Sequence, residues 1–261
     1  MGKLTWLKPL KIKGQRRGKT MVLLLSGLIP YSKSFGRAVN QLTKFGDVWE
    51  MSYPDCYANG QDLLVEVTRE LRQLKYSKLV LVGLSFGGTL SYLLLRYWRR
   101  HRVPFETLGV VAVSTPFGPE DITWRSKIEL NFGYEMDRHA DKLWRTVLQV
   151  LYWLWENNHW SDGHPYTIKN SLQRVYNAVR VGYLLRQTRL IRKTFRAMPA
   201  LLLNTARGIK DPFVLRTNEN HFKEIFPQGQ VVYGLTKHAS LNSQPTRVYR
   251  QLNRFLSTVT R

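Results

Sequence analysis

The chain has 261 residues, of which 43% are hydrophobic and 12% aromatic, so it can bury a core and is not an intrinsically disordered protein. Its single cysteine, Cys56, excludes an intramolecular disulfide framework and any zinc site built on several thiolates. No apolar run approaches the length of a membrane-spanning helix, and 40 Lys and Arg against 18 Asp and Glu give a net charge of +22.

Short apolar runs alternate with longer amphipathic stretches along the chain. This alternation is typical of an α/β fold in which helices flank a mostly parallel sheet. Because the runs are continuously rich in Val and Leu, we expect strands that are buried on both faces. The predicted strands cover residues 21–26, 48–53, 78–83, 107–114, 200–205 and 230–234. The predicted helices cover residues 34–44, 60–74, 87–101, 218–225 and 244–257.

One interval of about 80 residues, between the fourth and fifth predicted strands, carries no strand signal. It contains five of the eight tryptophans, and two amphipathic helical patterns over residues 141–155 and 171–196. We therefore predict a helical cap inserted over residues 117–197, with residues 1–116 and 198–261 forming the α/β core.

The motif with the most direct chemical meaning is Gly83-Leu84-Ser85-Phe86-Gly87, which lies between an apolar strand and an apolar helix. In this setting the motif forms a nucleophile elbow, a tight turn that presents the serine hydroxyl beyond the end of the strand. Glycines are needed there because a Cβ would collide with the turn. Ser85 is therefore the predicted nucleophile.

A serine nucleophile needs a base within hydrogen-bond reach. Of the six histidines, only His238 lies in a short polar loop directly after a predicted strand, on the side of the sheet where Ser85 emerges. We therefore predict His238 as the base.

From about residue 21 to residue 256 the chain resembles the α/β-hydrolase fold family. The resemblance rests on the elbow and on the chain order of serine, acid and histidine. It implies that Asp211, in the loop after the strand at 200–205, is the acid that orients His238. Because some members of the family take the acid from the preceding loop, Asp121 stays open as the alternative.

The same resemblance implies an oxyanion hole made by the backbone N–H groups of Phe86 and Leu28. Members commonly have histidine before the glycine of this loop, whereas this chain has Ser26 before Gly27. Serine in place of histidine leaves the backbone N–H donors in place, but the loop has to be held by different side-chain contacts. Candidate pocket residues are Gly27, Ile29, Trp144 and Trp155, the last two as a roof over an acyl chain.

The predicted function is a serine hydrolase that cleaves a small-molecule carboxylic ester, lactone or thioester with an apolar acyl group, without metal or cofactor. Two alternatives stay open. One is an acyltransferase that uses the same acyl-enzyme. The other is a non-enzymatic protein on a hydrolase scaffold that binds a polyanion or an anionic membrane.

The net charge is the observation behind that last alternative. Residues 1–19 hold seven basic residues, residues 169–196 hold eight and residues 237–261 hold five, and none of these segments contains an acid. Such segments suggest weak association with an anionic membrane surface, whereas no nucleic-acid-binding motif accompanies them. Only five apolar residues follow the first segment, so we expect no targeting segment and a cytoplasmic protein.

Overall fold

A seven-stranded sheet forms the centre of the protein in the computed structural model. The structure describes residues 5–6, 19–27, 35–36, 38–52, 60–124, 126–128, 147, 150–151, 153–154, 194–238, 241–242 and 244–261. Most of the predicted cap, 117–197, therefore lies outside the described residues, and its boundaries stay a prediction.

The strands follow the apolar runs of the sequence. In chain order they are β1 (Thr5–Trp6), β2 (Thr20–Leu25), β3 (Asp47–Ser52), β4 (Lys78–Leu84), β5 (Glu106–Val113), β6 (Ala200–Thr205) and β7 (Gln230–Leu235). Their order in the sheet is β1-β3-β2-β4-β5-β6-β7; β1 pairs antiparallel with β3, and the other pairs are parallel. The predicted parallel sheet is confirmed. The edge strand β1 was not predicted, because two residues in a lysine-rich stretch carry no periodic signal.

Five α-helices have both ends among the described residues, namely α1 (Ala38–Leu42), α2 (Gly60–Gln73), α3 (Phe86–Trp98), α4 (Asn218–Ile225) and α5 (Thr246–Val259). A short 3₁₀ helix spans Pro119–Asp121. The helix predicted over 34–44 is shorter, since the chain turns after Leu42, where Phe45 N–H donates to the Leu42 carbonyl at 2.9 Å. None of the helices in these described ranges has the length and apolar character needed to cross a bilayer.

Both faces of the sheet are covered by apolar side chains, as the unbroken Val and Leu runs predicted. Alternate residues of one strand enter different cores: Leu23 packs on the face that α3 covers, and Val22 on the face that α5 covers. Helix α3 is buried almost throughout, which agrees with its apolar sequence. Close-packed layers of this kind cover both faces of the strands.

The parallel arrangement gives the sheet two different edges. All six parallel strands end at one edge, here called the carboxyl edge, and begin at the other, here called the amino edge. Ser85 follows β4, Asp211 lies in the loop after β6, and His238 lies in the loop after β7. The fold thus carries all three side chains to the carboxyl edge, where ligands of open α/β sheets generally bind.

Candidate active site

Ser85 occupies a strained turn between β4 and α3. Its φ of 50° and ψ of −118° lie in a region that non-glycine residues rarely adopt, at a cost of about 1–3 kcal/mol. Hydrogen bonds on both sides hold the turn: Ser85 N–H donates to the Val113 carbonyl at 2.7 Å, and Gly88 N–H donates to the Ser85 carbonyl at 3.0 Å. The Ser85 side chain at this turn is half-buried.

Two glycines of the motif permit this turn by close backbone approach. A Cβ on Gly83 would overlap the backbone of Gly87 and Gly88, and a Cβ on Gly87 would overlap the Leu25 carbonyl at the end of β2. The need for these two glycines, expected from the sequence, thus has a specific steric cause on each side of Ser85.

His238 connects Ser85 to Asp211. Its Nε2 lies 3.2 Å from Ser85 Oγ, and its Nδ1 lies 2.8 Å from Asp211 Oδ2. Because a carboxylate only accepts hydrogen bonds, Nδ1 carries the proton in this pair, and Nε2 is left to accept from the Ser85 hydroxyl. The Phe213 ring lies against the imidazole with the ring centroids 4.6 Å apart, which restricts its rotation.

Asp211 is held as a carboxylate by its own loop. The backbone N–H groups of Phe213 and Val214 donate to its Oδ1 at 2.9 and 3.0 Å. Burial by itself would raise the pKa of Asp211, but the hydrogen bond from His238 and the electrostatic interaction with it, together with the two backbone donors, hold the pKa below its ordinary value. The carboxyl group therefore stays ionised at neutral pH.

Asp121, the alternative acid, contacts a different histidine. Its Oδ1 lies 2.7 Å from His221 Nδ1 and accepts from the Thr217 hydroxyl at 2.9 Å, while its Oδ2 accepts from Phe117 N–H at 2.8 Å. The side chain is fully buried, and this burial raises its pKa despite the three lowering contacts with His221, Phe117 and Thr217. The backbone of the same residue accepts from Leu215 N–H at 2.6 Å, so Asp121 joins the loop after β5 to the loop that carries Asp211.

The predicted oxyanion donors lie partly outside the described residues. Phe86 is buried at the first position of α3, directly after Ser85, where N–H groups of a helix start favour negative charge. Leu28 and Ile29, however, are outside the described residues, as are the pocket candidates Trp144 and Trp155. Gly27 is described, and a Cβ placed on it would lie 3.5 Å from Ser85 Cβ.

Ser26, which precedes Gly27 in the loop after β2, is anchored by an acid that sequence reasoning missed. Its hydroxyl donates to Glu50 Oε1 on β3 at 2.6 Å, and both side chains are buried. The sequence did contain a signal for this residue, because Glu50 is an acidic residue within the apolar pattern of β3. Burial raises the pKa of Glu50, and the hydrogen bond from Ser26 offsets part of this increase.

Metal ligands do not cluster in the part of the chain that the structure describes: there, no three His, Cys, Asp or Glu side chains are grouped as a metal site would require. The side chains gathered at Ser85 are instead those of a proton relay, with one hydroxyl, one imidazole and one carboxylate. Such a relay can activate an oxygen nucleophile.

No protein-family model and no curated protein sequence matches the chain. Solved structures match it over nearly its whole length. A carboxylesterase from the thaumarchaeon Nitrososphaera gargenis is 16% identical, covers 95% of this chain and 93% of its own, and has a TM-score of 0.60. A monoacylglycerol lipase from Paleococcus ferrophilus is 16% identical, with coverages of 98% and 99% and a TM-score of 0.59.

A third similar structure is that of an enzyme named for a different reaction. An epoxide hydrolase from Bacillus megaterium, determined as a point mutant, is 13% identical, with coverages of 97% and 96% and a TM-score of 0.58. The chain therefore has the α/β-hydrolase fold. Because this fold hosts several reactions, the chemistry has to be argued from the residues at the carboxyl edge.

Proposed function

We propose that the protein is a serine hydrolase that cleaves a carboxylic ester, lactone or thioester through an acyl-enzyme. The observation that carries this proposal is the continuous relay from Ser85 Oγ through His238 to Asp211, with distances of 3.2 and 2.8 Å. The strained backbone of Ser85 supports it, since such strain concentrates at functional sites.

In the first half of the reaction, Ser85 Oγ attacks the substrate carbonyl carbon while His238 Nε2 takes the hydroxyl proton. The carbonyl oxygen becomes an oxyanion, for which the backbone N–H groups of Phe86 and Leu28 are the proposed donors. The tetrahedral intermediate then collapses, the bond to the leaving group breaks, and the imidazolium returns its proton to the leaving oxygen or sulfur. Asp211 stabilises the imidazolium in both steps.

In the second half, water replaces the leaving group. His238 Nε2 takes a proton from water as its oxygen attacks the acyl carbon, and the second tetrahedral intermediate collapses with return of the proton to Ser85 Oγ. The products are the free acid and the regenerated serine. Ser85, His238 and water carry every proton and electron pair, so the proposal requires no cofactor.

Labelling by a fluorophosphonate tests the nucleophile, because the reagent forms a covalent bond with an activated serine. Ser114 offers a matched control. It follows β5 as Ser85 follows β4, has a φ of 43°, and is buried, and its Oγ has no hydrogen-bond partner among the described residues. We expect labelling of the wild type and of Ser114→Ala, and none of Ser85→Ala. Labelling that survives in Ser85→Ala contradicts the assignment.

A series of p-nitrophenyl esters tests the proposed apolar acyl group, which rests on the tryptophan-rich segment 117–197. We expect kcat/KM to increase with acyl length, because each buried methylene contributes about 0.8 kcal/mol. Product analysis with added alcohol or amine then distinguishes hydrolysis from acyl transfer. Predominant free acid supports hydrolysis, whereas predominant ester or amide product favours the acyltransferase alternative.

A further inference from the structure

A groove of about 1160 Å³ opens at the amino edge of the sheet, at the opposite ends of the strands from Ser85. It lies where β5, β6 and β7 begin, beside the last turns of α5. Since β4 has seven residues and a strand rises about 3.3 Å per residue, the groove and the Ser85 relay are separated by about 20 Å. The groove is therefore distinct from the candidate active site.

Four apolar side chains of the groove are here called its apolar floor, and Thr107, Gln228, Gln230, Gln251 and Thr258 line the groove beside them. The four are Leu108, Met198, Phe255 and Val259, and three of them are half-buried. The missing side chain of Gly109 allows this packing, because a Cβ there would lie 3.3 Å from the Phe255 ring and 3.4 Å from Val259. Such a floor can bury an aliphatic chain.

The rim of the groove is cationic. Arg99, Arg196 and Arg254 line it, all three are exposed, and none of them forms an ion pair with a carboxylate among the described residues. Arg99 is held in position, since its Nη1 donates to the Thr194 carbonyl at 3.2 Å. One exposed acid, Glu106, also lines the groove, so the rim keeps a net positive charge.

Most ionisable side chains along the rest of the amino edge are also basic, although the buried Asp47 begins β3. Basic residues stand just before or at the start of successive parallel strands: Lys19 before β2, Lys44 before β3, Lys78 in β4, and Arg100 and Arg102 before β5. The parallel topology collects these residues at one edge although they are far apart in the sequence. Their summed field attracts anions toward the groove.

We propose that this groove binds an anionic amphiphile, an aliphatic chain that carries a phosphate or carboxylate group. The head group contacts the guanidinium groups of Arg99, Arg196 and Arg254, which suit planar recognition of either anion. The chain lies on the apolar floor. The apolar floor favours an amphiphile over a nucleic acid, whose backbone would leave that surface uncovered.

Isothermal titration with octyl phosphate, inorganic phosphate and octyl glucoside tests the proposal. The test variant is Arg196→Gln/Arg254→Gln. The control is Arg247→Gln/Arg250→Gln, which removes the same charge from exposed positions nearer the start of α5. We expect octyl phosphate to bind most tightly, and to bind the test variant at least roughly tenfold more weakly, because each arginine supplies a charge-assisted hydrogen bond. The control should bind as the wild type does.

Four results would overturn the proposal. Equal binding of octyl glucoside would show that charge is not recognised, and equal binding of inorganic phosphate would show that the chain is not recognised. Unchanged affinity of the test variant, with its folding verified by thermal melting, would place binding elsewhere. The last such result is that a DNA duplex binds through these arginines and octyl phosphate does not bind. The amino edge would then be a nucleic-acid-binding surface, and the proposed amphiphile would be wrong.

Vesicle sedimentation then distinguishes the two sources of such a ligand. The vesicles contain phosphatidylcholine with or without phosphatidylglycerol. Sedimentation with the anionic vesicles alone, lost in the test variant, supports a membrane lipid as the ligand. Binding of octyl phosphate without sedimentation supports a free amphiphile. Neither the affinity nor the sedimentation depends on turnover, so both tests are independent of the reaction that Ser85 performs.

Discussion

The hydroxyl of Ser26 donates a 2.6 Å hydrogen bond to Glu50 Oε1, and both side chains are buried beside the elbow that carries Ser85. A Cβ on Gly87 would lie 2.7 Å from the Ser26 carbonyl, so the backbone of this loop packs directly on the elbow. The Ser26–Glu50 hydrogen bond therefore joins β3 to the loop that leads toward the proposed oxyanion donor Leu28.

Ser26→Ala tests whether this hydrogen bond positions the loop. Without the hydroxyl, Glu50 is left as a buried acceptor without this donor, at a cost of about 1–3 kcal/mol. We expect kcat to fall by roughly tenfold, which corresponds to about 1.4 kcal/mol of transition-state stabilisation, with little change in KM. In Glu50→Gln the amide oxygen can still accept from Ser26, and turnover should stay near the wild-type value. Equal losses in both variants would contradict a positioning role.

The raised pKa of Glu50 predicts a dependence of stability on pH. Below the ordinary pKa of 4.5, Glu50 is protonated in both the folded and the unfolded chain. As the pH increases, the unfolded chain loses this proton first, because burial keeps it on the folded chain. The folded state then binds more protons, so its free energy of unfolding decreases with pH.

Urea denaturation of the wild type and of Glu50→Gln, compared from below pH 4.5 up to neutral pH, measures this effect. We expect the wild type to lose stability relative to the variant as the pH increases through the raised pKa. Other titrating groups, including Asp121, contribute equally to both proteins and cancel in the difference. A constant difference across the range would show that Glu50 does not titrate abnormally.

Ser85 and His238 should behave as one unit. Ser85→Ala and His238→Ala are each expected to lower kcat by roughly 10³-fold or more, and the double variant should be little worse than either. His101→Ala is the control, since His101 is exposed and stacks on Tyr97 away from Ser85, with the ring centroids 4.1 Å apart. Fully additive losses in the double variant would mean that the two residues act independently.

Asparagine variants of Asp211 and Asp121 separate the acid from its alternative. Asp211→Asn should lower kcat by roughly 10³- to 10⁴-fold, because the imidazole remains but loses its correct tautomer and the charge beside it. Asp121→Asn should keep turnover and lose stability by about 1 kcal/mol, since it weakens the contact with His221. Kinetics and denaturation on both variants measure this. The opposite pattern would assign the acid to Asp121.

Alanine at two glycines of the site should act in different ways. Gly87→Ala places a Cβ on the Leu25 carbonyl, so we expect a severe loss of stability, measured by thermal melting. Gly27→Ala makes only ordinary contacts, 3.5 Å from Leu84 O and Ser85 Cβ. It should fold normally and lower kcat/KM, because the methyl group stands beside the nucleophile. A stable, fully active Gly27→Ala would show that substrate does not approach this backbone.

The sequence alone predicted the six parallel strands and the turn at Ser85. Strand formation follows from apolar runs of about six residues, and the elbow follows from glycines two residues before and after the serine, so short windows carry both signals. The ends of helices were predicted less well: the helix predicted over 34–44 is α1, which spans only Ala38–Leu42. Capping and turn formation decide where a helix ends, and they act over only a few residues. The loop of His238 was predicted from its position after a strand, whereas the loop of Asp211 was predicted from the resemblance to the α/β-hydrolase fold family.

Only the tertiary structure decided which buried polar groups meet. Ser26 and Glu50 are 24 residues apart, and Asp121 and His221 are 100 residues apart; no local pattern relates them. The basic edge has the same origin, because Arg99, Arg196 and Arg254 come together only through the order of β5, β6 and α5. Local propensity acts over a few residues, whereas the pairing of distant polar groups depends on strand order and register, which only the packed sheet determines.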